Sequence, residues 1–347
     1  MKALKTARNV ILNLGKRIKP QQIFSATRNF FRKFFPPLTS LPENVLVAAS
    51  HGSARFPLKL FRYLSLYYQI SPRLLLNFSD YGTKSLLEGI PDPQKAIPRY
   101  GRIVGDPNRD LKQDDLIRFE DFGGNKIFRE KFERRLTTSW IRFIWRRKLL
   151  NYSYRPYYRD VHKKIEAISE KMEDKRNPII FVDVHDIGNR ILGQRSKDDI
   201  QRKTKIPKVI ISNAPDEETE EGVLGTAPEY FVKEFAETLA ENLEISPQEV
   251  KINHLYKGGN IIRYFGNLHR NPRLKRVLKE QKIFAIQIEF NRSWYLDEKT
   301  QRIYKQQMRF VRNGLIRTLK HVSKMNFWGS EENEEEEREG KESAKEE

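Results

Sequence analysis

The sequence predicts an α/β fold. Three features support that class: short apolar strands bounded by turn-forming residues, amphipathic helices between them, and polar side chains at the strand ends. The clearest strand is residues 177–189 (NPIIFVDVHDIGN), a short apolar run between a proline and a glycine. Because side chains alternate along a strand, Asp183 and His185 lie on one face while Val182 and Val184 lie on the other.

His185 is the first candidate for site chemistry, because ligands of open α/β sheets bind at the carboxyl ends of the strands. A core histidine that bonds to a backbone carbonyl is the alternative interpretation of this strand. A second apolar strand, residues 44–50, runs directly into His51 and Gly52. Two histidines at strand ends favour a metal site, since such sites take ligands from several strands.

Asp80 is open to two interpretations. Before it, the sequence predicts a helix over residues 58–69 and a short apolar run over residues 74–78. Asp80 then either caps a helix over residues 82–88 or supplies a carboxylate ligand to the same metal.

Residues 97–110 (IPRYGRIVGDPNRD) are predicted to form a strand and its exit loop. They carry Arg102, Asn108 and Arg109, and an arginine can hold a substrate carboxylate with two parallel hydrogen bonds. A structural ion pair with Asp106 is the alternative for these arginines.

A long basic insertion follows over residues 111–150, and it is predicted to be helical from about residue 127 to residue 149. Basic residues alternate in it with tryptophans: Arg134, Arg135, Trp140, Arg142, Trp145, Arg146, Arg147 and Lys148. Basic residues interleaved with aromatic ones can bind nucleic acid. A solvated helix face over an apolar stripe is the alternative.

The rest of the chain continues the α/β pattern. The sequence predicts helices over residues 155–172, 228–243 and 301–324, and strands over residues 206–212, 250–253 and 284–295. The first of these helices contains His162. Gly258 and Gly259 form a loop whose backbone can come close to a ligand. Glu289 lies on a polar face of the last strand, where a buried carboxylate requires a partner or a function.

Composition limits the function classes. The 347-residue chain is 38% apolar and has no cysteine, which excludes disulfides and cysteine-based zinc sites and fits a reducing compartment. Its apolar runs are too short for a transmembrane helix or a signal-peptide core, so we expect a cytoplasmic protein. Any metal site must use the six histidines and the carboxylates.

Charge divides the chain into three predicted parts: a basic amphipathic arm (residues 1–36), one α/β domain (37–325) and a disordered acidic tail (326–347). The net charge is +19; residues 331–347 carry ten Glu and three Lys or Arg, a net −7, so the remainder carries +26. Such a surface attracts nucleic acid, an anionic membrane or a small anionic substrate. The arm either binds one of the two large partners weakly or packs onto the domain.

Taken in order, these segments resemble the N-formylglutamate amidohydrolase family. The matching motifs are Ser50-His51-Gly52-Ser53, Ser79-Asp80-Tyr81, Arg102 with Asp106-Pro107-Asn108-Arg109, Pro156-Tyr157-Tyr158, Asp183-Val184-His185-Asp186, Asn253 through Arg263, and Gln287-Ile288-Glu289. Three positions depart from the family pattern: Tyr158 replaces a histidine, Asp186 a serine and Ser50 a proline. The family's cysteine-containing segment is also replaced, by residues around 212–221.

The resemblance implies a three-layer α/β fold related to zinc carboxypeptidases, in which helices cover both faces of a mixed central sheet. It also implies one catalytic Zn²⁺ bound by His51, Asp80 and His185, with a fourth position left for water. Glu289 would be the general base, and His162 is a candidate for a supporting or oxyanion role. The candidates for substrate binding are Arg102, Asn108, Arg109, Asn253, Gly258, Gly259 and Arg263.

The predicted reaction is hydrolysis of an N-acyl, N-formyl-type amide, with a small anionic N-acyl amino acid as the substrate. One alternative is another zinc peptidase or amidase of the same superfamily. The other is a non-catalytic basic module that binds nucleic acid or an anionic membrane. A binding module does not need His51, Asp80, His185 and Glu289 together, so the sequence favours the enzyme.

Overall fold

A computed structural model describes residues 40–70, 74–77, 79–121, 124–191, 200–201, 206–216 and 225–327. The predicted basic arm and the acidic tail beyond residue 327 lie outside these residues. Among the helices that are described, none is both long and apolar enough to span a bilayer.

A six-stranded mixed sheet forms the centre of the fold, in the order β2-β1-β3-β8-β6-β7. The strands are β1 (Val45–Ala48), β2 (Lys95–Ala96), β3 (Ile179–Ile187), β4 (Arg190–Ile191), β5 (Ile200–Gln201), β6 (Val209–Ser212), β7 (Val250–Ile252) and β8 (Ile283–Asn291). Neighbouring strands of the large sheet are parallel except β6 and β8, while β4 and β5 form a separate antiparallel pair. The mixed sheet implied by the resemblance is confirmed.

The α-helices of the described residues lie between these strands and after the last of them. They are α1 (Leu66–Ile70), α2 (Leu74–Asn77), α3 (Tyr81–Leu86), α4 (Glu130–Thr137), α5 (Ser139–Leu150), α6 (Tyr154–Lys171), α7 (Glu229–Asn242), α8 (Asn260–Gly266), α9 (Pro272–Leu278) and α10 (Lys305–Val322). The predicted helices over residues 155–172, 228–243 and 301–324 correspond to α6, α7 and α10.

Both faces of the sheet are buried, and the alternation along β3 shows how. Val182 and Val184 pack in one apolar cluster with residues of α7 and α10, such as Phe235 and Leu315. Phe181 packs in a second cluster, with residues of α6, α8 and α9. Because side chains alternate, the face of Phe181 continues toward the carboxyl end of β3 with Asp183 and His185. Asp183 and His185 therefore lie on the α6 and α8 side of the sheet.

The basic insertion packs with earlier segments of the chain in a third apolar cluster, which includes Leu64, Phe128, Phe132 and Leu149. The helical prediction for residues 127–149 is confirmed over Glu130–Thr137 and Ser139–Leu150, but the chain is extended at Thr138 and therefore forms two helices, α4 and α5. The hydroxyls of Thr137 and Thr138 both donate to the carbonyl of Arg134. Threonine hydroxyls that bond to the preceding turn compete with the backbone and favour such a break.

Two further elements differ from the sequence prediction. The strand predicted within residues 97–110 is wrong: only Lys95–Ala96 pairs with β1, and the chain then runs as turns. Pro98 and Pro107 have no N–H for a sheet ladder, and side-chain hydrogen bonds hold this loop instead. The helix predicted over residues 58–69 divides into a 3₁₀ segment (Leu58–Tyr63) and α1. Between these two pieces Leu64 forms an isolated bridge with Phe128.

Candidate metal centre and active site

The three predicted metal ligands meet at the carboxyl ends of β1 and β3. His51, Asp80 and His185 are all buried, and one ligand atom from each lies within 4.8 Å of the other two. His51 Nδ1 is 3.3 Å and His185 Nδ1 is 2.9 Å from the same atom, Asp80 Oδ2. The cluster therefore converges through two Nδ1 atoms and one carboxylate oxygen.

A second carboxylate lies behind each histidine. His51 Nε2 is 2.6 Å from Asp106 Oδ1, and His185 Nε2 is 2.8 Å from Asp183 Oδ2. A carboxylate at the outer nitrogen favours a proton there, so the inner nitrogen can release its own proton and present a lone pair when a metal binds. Proteins orient zinc-binding histidines in this way, and two histidines with one carboxylate form a ligand set of catalytic zinc. The residues present fit a zinc ion.

Asp80 stands at the N-cap position of α3, but its side chain makes no capping hydrogen bond. Its Oδ2 faces the two histidines, and its Oδ1 lies 3.6 Å from Arg292 Nη2. Burial alone raises the pKa of Asp80, yet the hydrogen bonds to His185 and His51 outweigh burial and hold that pKa well below its usual value. This geometry favours the ligand interpretation over the cap.

Ser50 supports Asp183 from the end of β1. Its backbone N–H donates to Asp183 Oδ1 at 3.0 Å, and its hydroxyl donates to Asp183 Oδ2 at 2.8 Å. The proline that the family pattern has here lacks both donors. This departure from the pattern therefore strengthens the support behind His185.

Arg102 supports Asp106 in the same manner behind His51. Its Nε and Nη2 atoms lie 3.0 and 2.6 Å from Asp106 Oδ2, and the backbone N–H of Asn108 donates to Oδ1. Burial raises the pKa of Asp106, but Arg102 and His51 hold it well below its usual value. Only 10% of the Arg102 side chain is exposed, so Arg102 forms the structural ion pair that the sequence left as the alternative.

Glu289 lies directly opposite His185 in the pairing of β3 and β8. Its side chain is buried, and Gln287 Nε2 donates to its Oε1 at 2.9 Å. Burial raises the pKa of Glu289 to about 7, with the charges of Asp80 and Asp186 adding to the effect and His185 opposing it. A carboxyl with a pKa near neutrality can both accept and donate a proton at physiological pH.

Asn108 and the glycine pair border this cluster. Asn108 Nδ2 lies 3.3 Å from Gln287 Oε1 and 3.5 Å from His185 Nε2. The N–H of Gly259 donates to Gln287 Oε1 at 2.8 Å. A Cβ atom at Gly259 would lie 2.1 Å from Asn108 Oδ1, so this close approach requires glycine. Gly258 adopts a left-handed backbone conformation (φ 101°) that also favours glycine.

Arg109 and Arg263 are the more exposed of the predicted substrate-binding arginines. Arg109 Nε is 2.9 Å from Asp115, and Arg263 Nη2 is 2.6 Å from Asp216. The two aspartate side chains are 43% and 51% exposed, so both ion pairs reach the surface. Arg263 lies on α8, which begins directly after Gly259.

Asn253 and His162 have their described contacts elsewhere. Asn253 Nδ2 donates to Asn213 Oδ1 at 2.9 Å and holds the turn after β7. His162 Nδ1 is 2.7 Å from the carbonyl of Tyr158, and its Nε2 is 3.1 Å from Asn271 Oδ1. Because both ring nitrogens are engaged, these contacts favour a structural role, and the catalytic role of His162 stays a prediction.

Sequence reasoning missed Arg292, which forms an ion pair with Asp186 beside the cluster. Burial raises the pKa of Asp186 to about 7, with Arg292 opposing the effect and Asp80 adding to it. The signal was present in the sequence: an aspartate at the end of a buried strand requires a cation or a proton. The sequence does not show which arginine supplies it.

Comparison with known proteins agrees with the motifs. The model of the family described as N-formylglutamate amidohydrolase matches residues 43–296. An N-formylglutamate amidohydrolase structure from Ralstonia eutropha is similar at 17% identity and a TM-score of 0.55, covering 82% of this chain and 94% of that one. A gene product from Agrobacterium tumefaciens is similar at 15% identity and a TM-score of 0.47, covering 81% and 91%. No curated protein sequence matches this chain.

Proposed function

This chain belongs to the N-formylglutamate amidohydrolase family, and we propose that it is a zinc-dependent hydrolase that cleaves the N-formyl-type amide of a carboxylate-bearing amino acid. One observation carries the proposal: His51 Nδ1, Asp80 Oδ2 and His185 Nδ1 converge, with a further carboxylate behind each histidine. The absence of cysteine fits a reducing compartment, and we place the enzyme in the cytoplasm.

His51, Asp80 and His185 would hold one zinc ion. When bound, zinc acidifies water and polarises the amide carbonyl. Glu289 accepts a proton from the attacking water as the new C–O bond forms, and returns it to the amine nitrogen as the C–N bond breaks. The products are formate and the free amino acid, and the carboxylate is regenerated. Gln287 orients Glu289 through its hydrogen bond to Oε1.

Arg109 and Arg263 are the groups that we propose to bind the carboxylates of the substrate. Each is now paired with a half-exposed aspartate, so an incoming carboxylate can replace that partner without leaving the guanidinium uncompensated. Arg102 is not assigned this role. Binding a substrate carboxylate would draw Arg102 away from Asp106, and Asp106 in turn holds His51. Asn108 and Gly259, which both donate to Gln287 Oε1, are our candidates for contacting the substrate amide.

The test is formate release by the zinc-loaded protein from N-formyl-L-glutamate and from N-formyl-L-glutamine, which lacks the side-chain charge. We expect hydrolysis of the glutamate derivative, with kcat/KM lower by about 10- to 100-fold for the neutral one. Arg263→Gln should raise KM for N-formyl-L-glutamate, whereas Arg176→Gln, at a surface pair with Asp174, should not. A zinc-loaded enzyme that hydrolyses neither compound, nor other N-acyl amino acids, contradicts the proposal.

A further inference from the structure

Arg292 lies beside the oxygen of Asp80 that does not face the histidines. Its Nη2 atom is at ion-pair distance, 3.6 Å, from Asp80 Oδ1. The other oxygen, Oδ2, is the one that faces both His51 and His185. The two oxygens of Asp80 therefore have different partners. Oδ2, the candidate ligand atom, faces the histidines, and Oδ1 faces the guanidinium of Arg292.

Arg292 is in turn held by Asp186. Its Nη2 atom pairs with Asp186 Oδ1 and donates to the backbone carbonyl of Asp186 at 3.2 Å. Only 1% of the Asp186 side chain is exposed. Tyr295 lies 3.4 Å from its Oδ2, and a Cβ atom at Gly82 would approach both Asp186 Oδ2 and the Tyr295 ring to 2.8 Å. Close packing thus restricts the position of the Asp186 carboxylate, and the carboxylate in turn restricts the position of the Arg292 guanidinium.

We propose that Arg292, anchored by Asp186, is a positioning residue that restricts Asp80 to binding the metal through one oxygen. The inference rests on the proposed metal site. A carboxylate can bind a metal through one or both oxygens, and a guanidinium beside Oδ1 opposes the second mode. Ligation by a single oxygen leaves the fourth position for water, as a catalytic zinc site requires. The cation also lowers the cost of placing Asp80 and Asp186 together in a buried region.

This pair is also a place where the chain departs from the family pattern. Asp186 stands where that pattern has a serine, and a serine at this position carries no charge to pair with Arg292. We therefore expect Asp186→Ser to weaken the hold on Arg292 while leaving the arginine in place.

The test measures metal binding rather than activity. Zinc affinity is determined by chelator competition for the wild type, Arg292→Gln, Asp186→Ser and Arg312→Gln, and each protein is then loaded with Co²⁺ for visible absorption. Arg312 is the matched control: its side chain is 17% exposed against 20% for Arg292, and it bonds to Ser85 and Glu88 beside the other end of α3.

We expect Arg292→Gln to bind zinc about 10- to 100-fold more weakly, as loss of an outer partner of a ligand typically does. Its cobalt absorption should also weaken, because a second oxygen from Asp80 raises the coordination number. Asp186→Ser should show the same changes to a smaller extent and keeps the test informative if Arg292→Gln does not fold. Arg312→Gln should match the wild type.

The outcomes separate this inference from the proposed function. Equal zinc affinity and equal cobalt spectra in the wild type, Arg292→Gln and Asp186→Ser overturn the role of Arg292 while the metal site stands. A loss of affinity that Arg312→Gln shares overturns it as well, because the effect is then one of general stability. A wild type that binds no zinc contradicts the metal site itself.

Discussion

Two charged regions of this molecule are built in opposite ways. Around Asp80 the charged side chains are buried and partnered: those of Asp106 and Asp183 are at most 2% exposed, and each bonds to a histidine. In the basic insertion, residues 111–150, the charged side chains lie at the surface. Arg142, for example, is 45% exposed and pairs with an Asp114 side chain that is 96% exposed.

Trp145 is an aromatic residue of the insertion that packs inward, although Phe143 near it in the chain is 67% exposed. The Trp145 ring packs inward, with its centroid 5.0 Å from that of Phe132 and 5.3 Å from that of Tyr63. Lys148 Nζ lies 4.6 Å from the same ring. A tryptophan engaged in this way is not presented for stacking on bases, so these contacts favour the solvated helix face over a nucleic-acid interface. Nucleic-acid binding by the insertion stays a prediction.

The difference between the two regions shows that a high density of charged residues does not by itself identify a functional site. An exposed ion pair contributes about 0–1 kcal/mol, whereas removal of one partner from a buried pair costs roughly 3–5 kcal/mol, because the other charge is left uncompensated. Sensitivity to substitution should therefore be concentrated around Asp80 and be low in the insertion.

The largest effect is expected for Glu289→Gln. Loss of the general base should lower kcat about 10²- to 10⁴-fold, because glutamine cannot take the proton of water. Zinc content should stay at the wild-type value, since Glu289 is not among the three candidate ligands. The measurement is formate release beside elemental analysis of the same sample. Wild-type kcat in this variant would show that another group activates the water.

The same substitution should change the pH dependence of stability in the metal-free protein. The pKa of Glu289 is raised from 4.5 to about 7, so the folded state holds this proton more tightly than the unfolded state. The stabilisation is full below pH 4.5 and is lost as pH rises through 7, a loss of roughly 3 kcal/mol. Glu289→Gln lacks this loss.

Unfolding by urea in the presence of a chelator, at pH 5 and at pH 8, measures this difference. Metal-free Glu289→Gln should gain stability relative to the wild type between the two pH values. Glu237→Gln, at an exposed glutamate of α7, serves as the control and should show no such gain. A constant difference between Glu289→Gln and the wild type would show that Glu289 does not titrate in this range.

A smaller effect is expected for Asp183→Asn. Removal of the carboxylate behind His185 should weaken zinc binding about 10- to 100-fold, because the imidazole loses its orientation and part of its basicity. Chelator competition gives the affinity, with Asp174→Asn at the surface pair with Arg176 as the control. Equal affinity in wild type and Asp183→Asn would remove Asp183 from the account of the site.

The smallest effect is expected in the insertion. Arg142→Gln should leave kcat/KM unchanged and alter the free energy of unfolding by less than about 0.5 kcal/mol, since its ion pair with Asp114 is exposed. Urea unfolding and the formate assay measure both quantities. A large loss of activity would contradict the low sensitivity expected of the insertion and would give the insertion a functional role.

The sequence was most informative where local pattern and burial agree. Along β3 and β8 the alternation of side chains places Asp183, His185 and Glu289 on one face, and the structure does the same. The pattern of a histidine directly after a short apolar strand singled out His51 in the same way. In these segments a residue's neighbours in the chain determine where its side chain lies.

Prediction failed where distant contacts decide the conformation. The loop over residues 97–110 is held by Asp106, which bonds to Arg102 within the loop and to His51, 55 positions earlier in the chain. Arg292 is paired with Asp186 from the segment after β8, and no local pattern marks that contact. His162 lies one helical turn after Tyr158, but only the fold shows that Asn271 occupies its outer nitrogen.

The metal site is tested by the zinc content of the wild type and of His185→Ala, measured by elemental analysis after dialysis. We expect about one zinc ion per wild-type chain and loss of that zinc in the variant, because His185 supplies one of three buried candidate ligands. Circular dichroism confirms that the variant is folded. A wild type without zinc after incubation with the metal, or equal zinc in both proteins, would contradict the account.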